Sequence, residues 1–341
     1  MSPGSSPKLL RFVIAGRIDR DYILPISGPA QIDVLGGNLP YAAMGLNLWG
    51  GTAGLLARVG QDFPMERLSR LESLGFNLSG IKVLSQSMDS RRFMAHIDPA
   101  TTHYQNPVQH FADRGLRYPP ELLGYRANIQ NHSSRREPLP QTIQISDIPE
   151  EYLYASAVHI CPIDYLSHLV LPSVFRQGQT SNITLSSTAG YMDPSFWEEI
   201  PGLLSEITAF ITTEGEIRNL FLGRQTNLWE MANVLGEFGP EYVIIHTKAL
   251  GYYLYDRQRD KRWTIPDYQS RVVDPTGADD AFSGGFLAGY REFYDPLEAA
   301  VMGSIASSVV VEGSGVYYAA DTMPELVRAR QVALKELVRE V

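Results

Sequence analysis

The stretch Asp274-Pro-Thr-Gly-Ala-Asp-Asp-Ala-Phe282 sets three carboxylates in a small-residue turn directly ahead of an apolar, helix-like run. Such a turn leaves the first backbone N–H groups of the helix, those of Gly277, Ala278, Asp279 and Asp280, without intrahelical acceptors. Together with the helix dipole they form an anion site. The acidic side chains need an explanation of their own. Asp280 near a helix start is worth about 0.5–2 kcal/mol simply as a cap. A carboxylate beside bound phosphate could instead take a proton from an attacking hydroxyl, the base chemistry of phosphoryl transfer. The residues alone leave both readings open.

The elements that must position this turn read as β-strands alternating with helices. A strand-like Arg271-Val-Val leads into it, and two helices are expected across 278–311. Upstream, apolar runs at 9–16, 52–60, 157–160, 183–186, 209–212 and 242–246 predict buried strands. Helical patterns begin at Pro40 and cover about 64–74, 193–206 and 226–238, with Gly50-Gly51 and Gly75 as stops. Pieces at 21–35, 80–84 and 91–98 read as a small accessory sheet, and 251–256 with 261–265 as an edge hairpin. This alternation implies an α/β fold with a largely parallel sheet covered on both faces. One domain over 9–330 is expected, with a polar, Pro-containing irregular insertion at 104–150 and an amphipathic C-terminal helix at 325–341.

Composition narrows the function. The 341 residues carry a net charge of −9, which argues against a basic surface for nucleic acid or anionic membrane. No run approaches the roughly 18 apolar residues of a membrane helix. The single cysteine, Cys161, excludes an intrachain disulfide and reads as buried and inert. With no apolar leader at the start, a cytoplasmic protein is expected. His110, His132, His159, His168 and His246 show no metal-ligand spacing and read as structural or exposed.

The 274–282 stretch resembles the Asp-Thr-x-Gly-Ala-Gly-Asp-x-Phe signature of the ribokinase-like (PfkB-type) carbohydrate kinases. Gly16-Arg-Ile-Asp-Arg-Asp21, Gly36-Gly37, Gly60-Gln-Asp62, Ile211-Thr-Thr-Glu-Gly-Glu216 and the Gly313/Gly315 loop fall in that family's order along the chain. The resemblance implies a three-layer α/β/α kinase with a small β-sheet lid, formed by about 17–35 and 80–100. It implies ATP and magnesium as cofactors and a sugar or nucleoside as acceptor. It makes Asp280 the base and the backbone of Gly277, Ala278 and Asp279 the anion hole. Asp21, Gly36, Gly37 and Tyr41 would hold the acceptor. Asp274, Thr276, Lys248, Gly251 and Gly313 would lie at the nucleotide, and Glu216 would organise the metal. It also allows a homodimer paired through the lid strands.

Four positions depart from the family pattern. Asp279 replaces the signature's second Gly, Tyr41 and Thr213 each replace an Asn, and His246-Thr-Lys-Ala-Leu-Gly251 loses one Gly and introduces Lys248. A carboxylate at 279 opposes phosphate unless it turns away or holds a cation. These departures motivate an alternative expectation, a ligand-binding or regulatory protein on the same fold with weak or no transfer activity.

Overall fold

A computed structural model describes residues 10–127 and 133–341. His132, read above as structural or exposed, lies outside the described residues. Fourteen strands run in chain order: β1 (Phe12–Ala15), β2 (Asp19–Leu24), β3 (Gln31–Gly36), β4 (Gly54–Val59), β5 (Asn77–Val83), β6 (Arg91–Asp98), β7 (Thr101–His103), β8 (Ala157–Ile160), β9 (Asn182–Ser186), β10 (Ala209–Thr213), β11 (Tyr242–Thr247), β12 (Gly251–Asp256), β13 (Lys261–Ile265) and β14 (Arg339–Glu340). Ten of them form one sheet in the order β14-β13-β12-β11-β10-β9-β8-β1-β4-β5. From β11 to β5 every pairing is parallel, while β12, β13 and β14 add antiparallel pairs at one edge.

Strand residues alternate between two cores. Phe12 and Ile14 of β1 face one apolar layer, and Val13 and Ala15 the other. The first layer is built from α1 (Asn38–Asn47), α8 (Ala278–Phe293), α9 (Pro296–Val310) and α10 (Pro324–Lys335). The second holds α4 (Tyr165–Gln177), α5 (Ile200–Leu204), α6 (Glu214–Leu220) and α7 (Leu228–Glu237). Parallel strands buried on both faces explain why they read as continuous apolar runs. Sequence order reverses at β1, which lies between β8 and β4. A ligand crevice is expected outside the carboxyl ends of the strands at such a switch point.

The second sheet, β3-β2-β6-β7, stands apart from the first as a lid. Its outer face has a small core of its own, in which Tyr22, Leu24, Phe93 and Ala95 pack against Phe111 and Leu122. Phe111 belongs to α3 (Pro107–Asp113), and Leu122 to a short 3₁₀ turn. Part of the segment expected to be an irregular insertion, 104–150, is therefore the lid's backing layer.

Three other expectations are corrected. The 80–84 piece is no lid strand: β5 pairs in parallel with β4 at the far edge of the main sheet. The C-terminal helix stops at Lys335, and β14 then pairs with β13; Leu334 is buried whereas Leu337 and Val341 are exposed. Arg271-Val-Val forms no strand; its chain is held instead by the Val273 and Asp274 amides donating to the carbonyl of Val311. No helix among the described residues is long and apolar enough to cross a membrane.

Candidate active site

The 274–282 turn lies beyond the carboxyl ends of the strands, under the lid. Gly277 is the N-cap of α8, with φ 78°, and no side chain caps this helix. The capping reading of Asp280 is thus not realised. A Cβ at Gly277 would fall 2.1 Å from the Tyr41 ring, so glycine is required for both its conformation and its closeness to α1. Burial pushes the Asp280 carboxyl up to about 7, a rise that the Arg92 and Arg17 guanidinium groups partly offset. A carboxylate tuned near neutrality suits a general base.

One cavity borders this turn at Pro275 and Ala278, and a second lies on the lid side. The first, of about 340 Å³, lies between the lid's β6–β7 turn and α9; it is lined by Pro99, Ala100, His246, Lys248, Tyr268, Val272, Ala278, Ser304, Ser307, Ser308 and Val311, among others. Lys248 spans its mouth, its Nζ donating to the Ala100 carbonyl at 3.0 Å. The other, of about 440 Å³, lies beneath the lid and includes Arg17, Asp19, Met88, Arg92, Tyr104, Tyr125, Ser133 and Thr188 in its lining. Asp280 feels Arg92, Arg17 and Asp19 from the second cavity, and Asp279 from the side of the first.

Asp21 is fully buried and gripped by the Arg92 guanidinium, Nε to Oδ1 at 3.1 Å and Nη2 to Oδ2 at 2.9 Å. Burial raises its pKa, and Arg92 opposes the rise. Gly36 is where this carboxylate fits, since a Cβ there would lie 1.9 Å from Asp21 Cγ. At Gly37, with φ 93°, a Cβ would lie 2.4 Å from the Arg17 carbonyl oxygen. The pair therefore seats the β1–β2 connection, and Asp19, the first residue of β2, is the acid there that lines the cavity. Tyr41 is buried, and its hydroxyl has no hydrogen-bond partner among the described residues.

Asp274 is also buried, and its carboxylate is taken up internally. It accepts from the Thr276 amide at 2.9 Å, from Ser314 Oγ at 2.5 Å, and stands 3.2 Å from His96 Nε2. Burial works against its ionisation, but the hydrogen bonds from His96, Ser314 and Thr276 outweigh it and hold the pKa below the usual value. Asp274 is thus a bracket for the turn rather than an open ligand. His96 Nε2 also meets Thr276 Oγ1 at 2.8 Å, which ties the lid to the residue before Gly277. Gly251, φ 79°, opens β12 against Ile265 and Asp267, and Gly313 packs on the Tyr318 ring; neither lines either of these two cavities.

Glu216 sits in the first turn of α6 in a capping box with Thr213. Its Oε2 accepts from Ser187 Oγ at 2.8 Å, Thr213 Oγ1 at 3.0 Å and the Thr213 amide at 3.2 Å. Burial raises its pKa. No group of three His, Cys, Asp or Glu side chains among the described residues could hold a metal ion unaided. A single carboxylate completed by nucleotide oxygens is, however, an arrangement that magnesium uses.

His246 corrects its reading as merely structural or exposed. It lines the first cavity, and its Nδ1 is 2.6 Å from Asp279 Oδ1. Burial disfavours the imidazolium, but Asp279 and Asp267 outweigh it and lift the pKa to about 10. Asp279 is half-exposed; partial desolvation works against its charge, but His246 and Lys248 outweigh this and hold the carboxyl below its usual pKa. The charge that set Asp279 against the family pattern therefore carries its own counter-ion. Arg92 and His96 were also missed. Neither has a sequence neighbour that marks it, and only the lid's pairing brings them to the turn.

Fold and site together define an α/β small-molecule kinase. Residues 149–323, just over half of the chain, match the pfkB family carbohydrate kinases, and the chain belongs to that family. It is 28% identical over 298 residues to a cytidine kinase of Thermococcus kodakarensis, covering 86% of this chain and 92% of that protein. Among solved structures, a putative ribokinase II of E. coli in complex with ATP and Mg²⁺ superposes with a TM-score of 0.70 at 16% identity, covering 95% of this chain and 100% of that one. A Burkholderia thailandensis nucleoside kinase in complex with inosine does so with a TM-score of 0.66 at 18% identity, over 95% and 98%. The protein is thus a phosphotransferase acting on a sugar or nucleoside hydroxyl.

Proposed function

We propose that the protein transfers the γ-phosphoryl group of ATP to a hydroxyl of a nucleoside, with Asp280 as the base. The observation that carries this is the position of Asp280 in the first turn of α8, two residues from Ala278 in the α9-side cavity and within the electrostatic reach of Arg17, Asp19 and Arg92, which line the cavity beneath the lid. ATP takes the first cavity, its phosphates directed at the N–H groups of Gly277, Ala278, Asp279 and Asp280. The acceptor takes the second, its hydroxyl toward Asp280 and its ring beside Asp19 and the Tyr41 hydroxyl. Fixed backbone donors at the point where charge develops supply much of the rate gain in such a transfer. Glu216 would hold magnesium together with the nucleotide, and the metal would supply charge neutralisation of the polyphosphate.

A nucleoside is favoured over a lone sugar because the lid-side cavity extends past Asp19 to Tyr104, Tyr125 and Met88, which offer flat and apolar surface to a base. Similarity to the cytidine kinase over most of its length points the same way. The ligand-binding alternative loses its chief motive, since His246 neutralises Asp279.

The test is ATP consumption with magnesium over a panel of nucleosides and monosaccharides, beside calorimetric binding of each. The proposal expects kcat/KM for at least one nucleoside to exceed that for every monosaccharide. Preference for a monosaccharide would sink the nucleoside assignment, and binding without turnover of any acceptor would sink the kinase reading.

A further inference from the structure

We infer that His246 is a phosphate ligand of the donor nucleotide, held in place by Asp279. The inference rests on the reading of the α9-side cavity as the ATP site. His246 is the penultimate residue of β11 and lines that cavity beside Lys248 and Ala278. Its ring is fixed on two sides. Nδ1 donates to Asp279 Oδ1 at 2.6 Å. One face stacks on Tyr252, with centroids 4.4 Å apart and planes 16° apart, and Tyr252 in turn stacks on Phe282 at 3.9 Å. What is left is Nε2. Its nearest carboxylate, Asp267, is 3.8 Å away, beyond hydrogen-bond range.

With Asp279 at Nδ1 and Asp267 3.8 Å from Nε2, two carboxylates favour the imidazolium, and the Nε2 proton has no carboxylate acceptor within hydrogen-bond range. An oriented cationic N–H facing a cavity beside an anion hole is a donor for phosphate oxygen. Asp279 sets the ring's orientation and supports its charge, as the second partner of a working histidine commonly does. Where a glycine would offer phosphate only its amide, this chain keeps the amide of residue 279 and adds a charged donor through the side chain. Asp279 and His246 are then two halves of one device, and neither is expected to work well alone.

The experiment is a cycle of His246→Ala, Asp279→Gly and the double variant. ATP KM, acceptor KM, affinity for a non-hydrolysable ATP analogue, and melting temperature without nucleotide are measured for each. His246→Ala is expected to weaken the donor nucleotide by roughly ten- to hundredfold, the range for a lost charge-assisted hydrogen bond. It also strips Asp279 of its counter-ion, so the double variant should bind the nucleotide better than His246→Ala. Acceptor KM should stay within about twofold, whereas a purely structural role would lower the melting temperature and move both substrates together. In the unaltered protein, the analogue should shift the imidazole nitrogen resonances of His246, a readout that does not depend on any variant folding. Donor affinity unchanged in His246→Ala, no recovery in the double variant, or no resonance shift on saturation would each overturn the inference. If the unaltered protein does not bind the analogue at all, it is the ATP-site reading beneath the inference that fails.

Discussion

Replacing Asp280 by Asn should separate catalysis from stability, with opposite signs at alkaline pH. Its carboxyl titrates near 3.8 when exposed and at about 7 in the fold, because burial penalises the charge. A folded-state pKa raised in this way adds stability that is complete below about 4 and is lost as pH rises through about 7. Linkage between these two values gives a loss of roughly 3 kcal/mol on going from pH 5 to pH 8, a ceiling because Asp280 keeps some contact with solvent. Asn cannot ionise, so Asp280→Asn escapes the loss. For a 341-residue chain the unfolding entropy is roughly 0.7 kcal/mol per kelvin. The melting temperature of the variant relative to the parent should therefore rise by about 4 °C between pH 5 and pH 8. Turnover with the best acceptor should fall by about a hundredfold or more. Differential scanning calorimetry at the two pH values, beside a coupled ADP assay, tests both arms. A pH-independent difference in melting temperature would refute the buried, shifted carboxyl, and surviving turnover would refute its role as base.

The same titration predicts that kcat/KM for the acceptor falls about tenfold per pH unit below about 7; an acid limb near pH 4 in the pH–rate profile would contradict it. Gly277→Ala forces a Cβ to 2.1 Å from the Tyr41 ring at a positive φ, and should cost roughly 2–5 kcal/mol in denaturant titrations. Arg92→Ala leaves Asp21 buried without its partner, and should destabilise by about 3 kcal/mol; adding Asp21→Asn should restore part of that loss. Glu216→Gln should raise the magnesium concentration needed for half-maximal rate several-fold, read from a magnesium titration at fixed ATP.

Much of the frame was legible because parallel strands buried on both faces announce themselves as unbroken apolar runs. The runs at 157–160, 209–212 and 242–246 lie within one residue of β8, β10 and β11. Local pattern does not say which sheet a strand joins. The 80–84 piece is β-prone wherever it pairs, and only its long-range partner, β4, puts it in the main sheet. The C-terminal pattern of Leu334, Leu337, Val338 and Val341 fits a helix by spacing, but an open sheet edge at β13 captures the last residues. At the site, glycines and acids in a fixed order could be read directly, since backbone geometry constrains which residue types fit. The side chains that tune those acids could not. Arg92, His96 and His246 reach the turn from strands far away in sequence, and nothing local marks them.

The strand β6 carries Arg92, Met94 and His96 on one face, at the period-two spacing of a pleated strand. Arg92 grips Asp21, Met94 Sδ lies 3.8 Å from Thr276 Oγ1, and His96 meets both Thr276 and Asp274. Parallel pairing with β2 sets Arg92 opposite Asp21. Slipping that register by one residue would present Arg91, Phe93 and Ala95 in their place, and would bury a guanidinium in the lid's outer core. The apolar backing of the lid, Phe93 against Phe111 and Leu122, therefore acts as a registration mark. By fixing which face of one strand points inward, it aligns Asp21 and the 274–282 turn, the proposed acceptor and phosphate ends, in a single step.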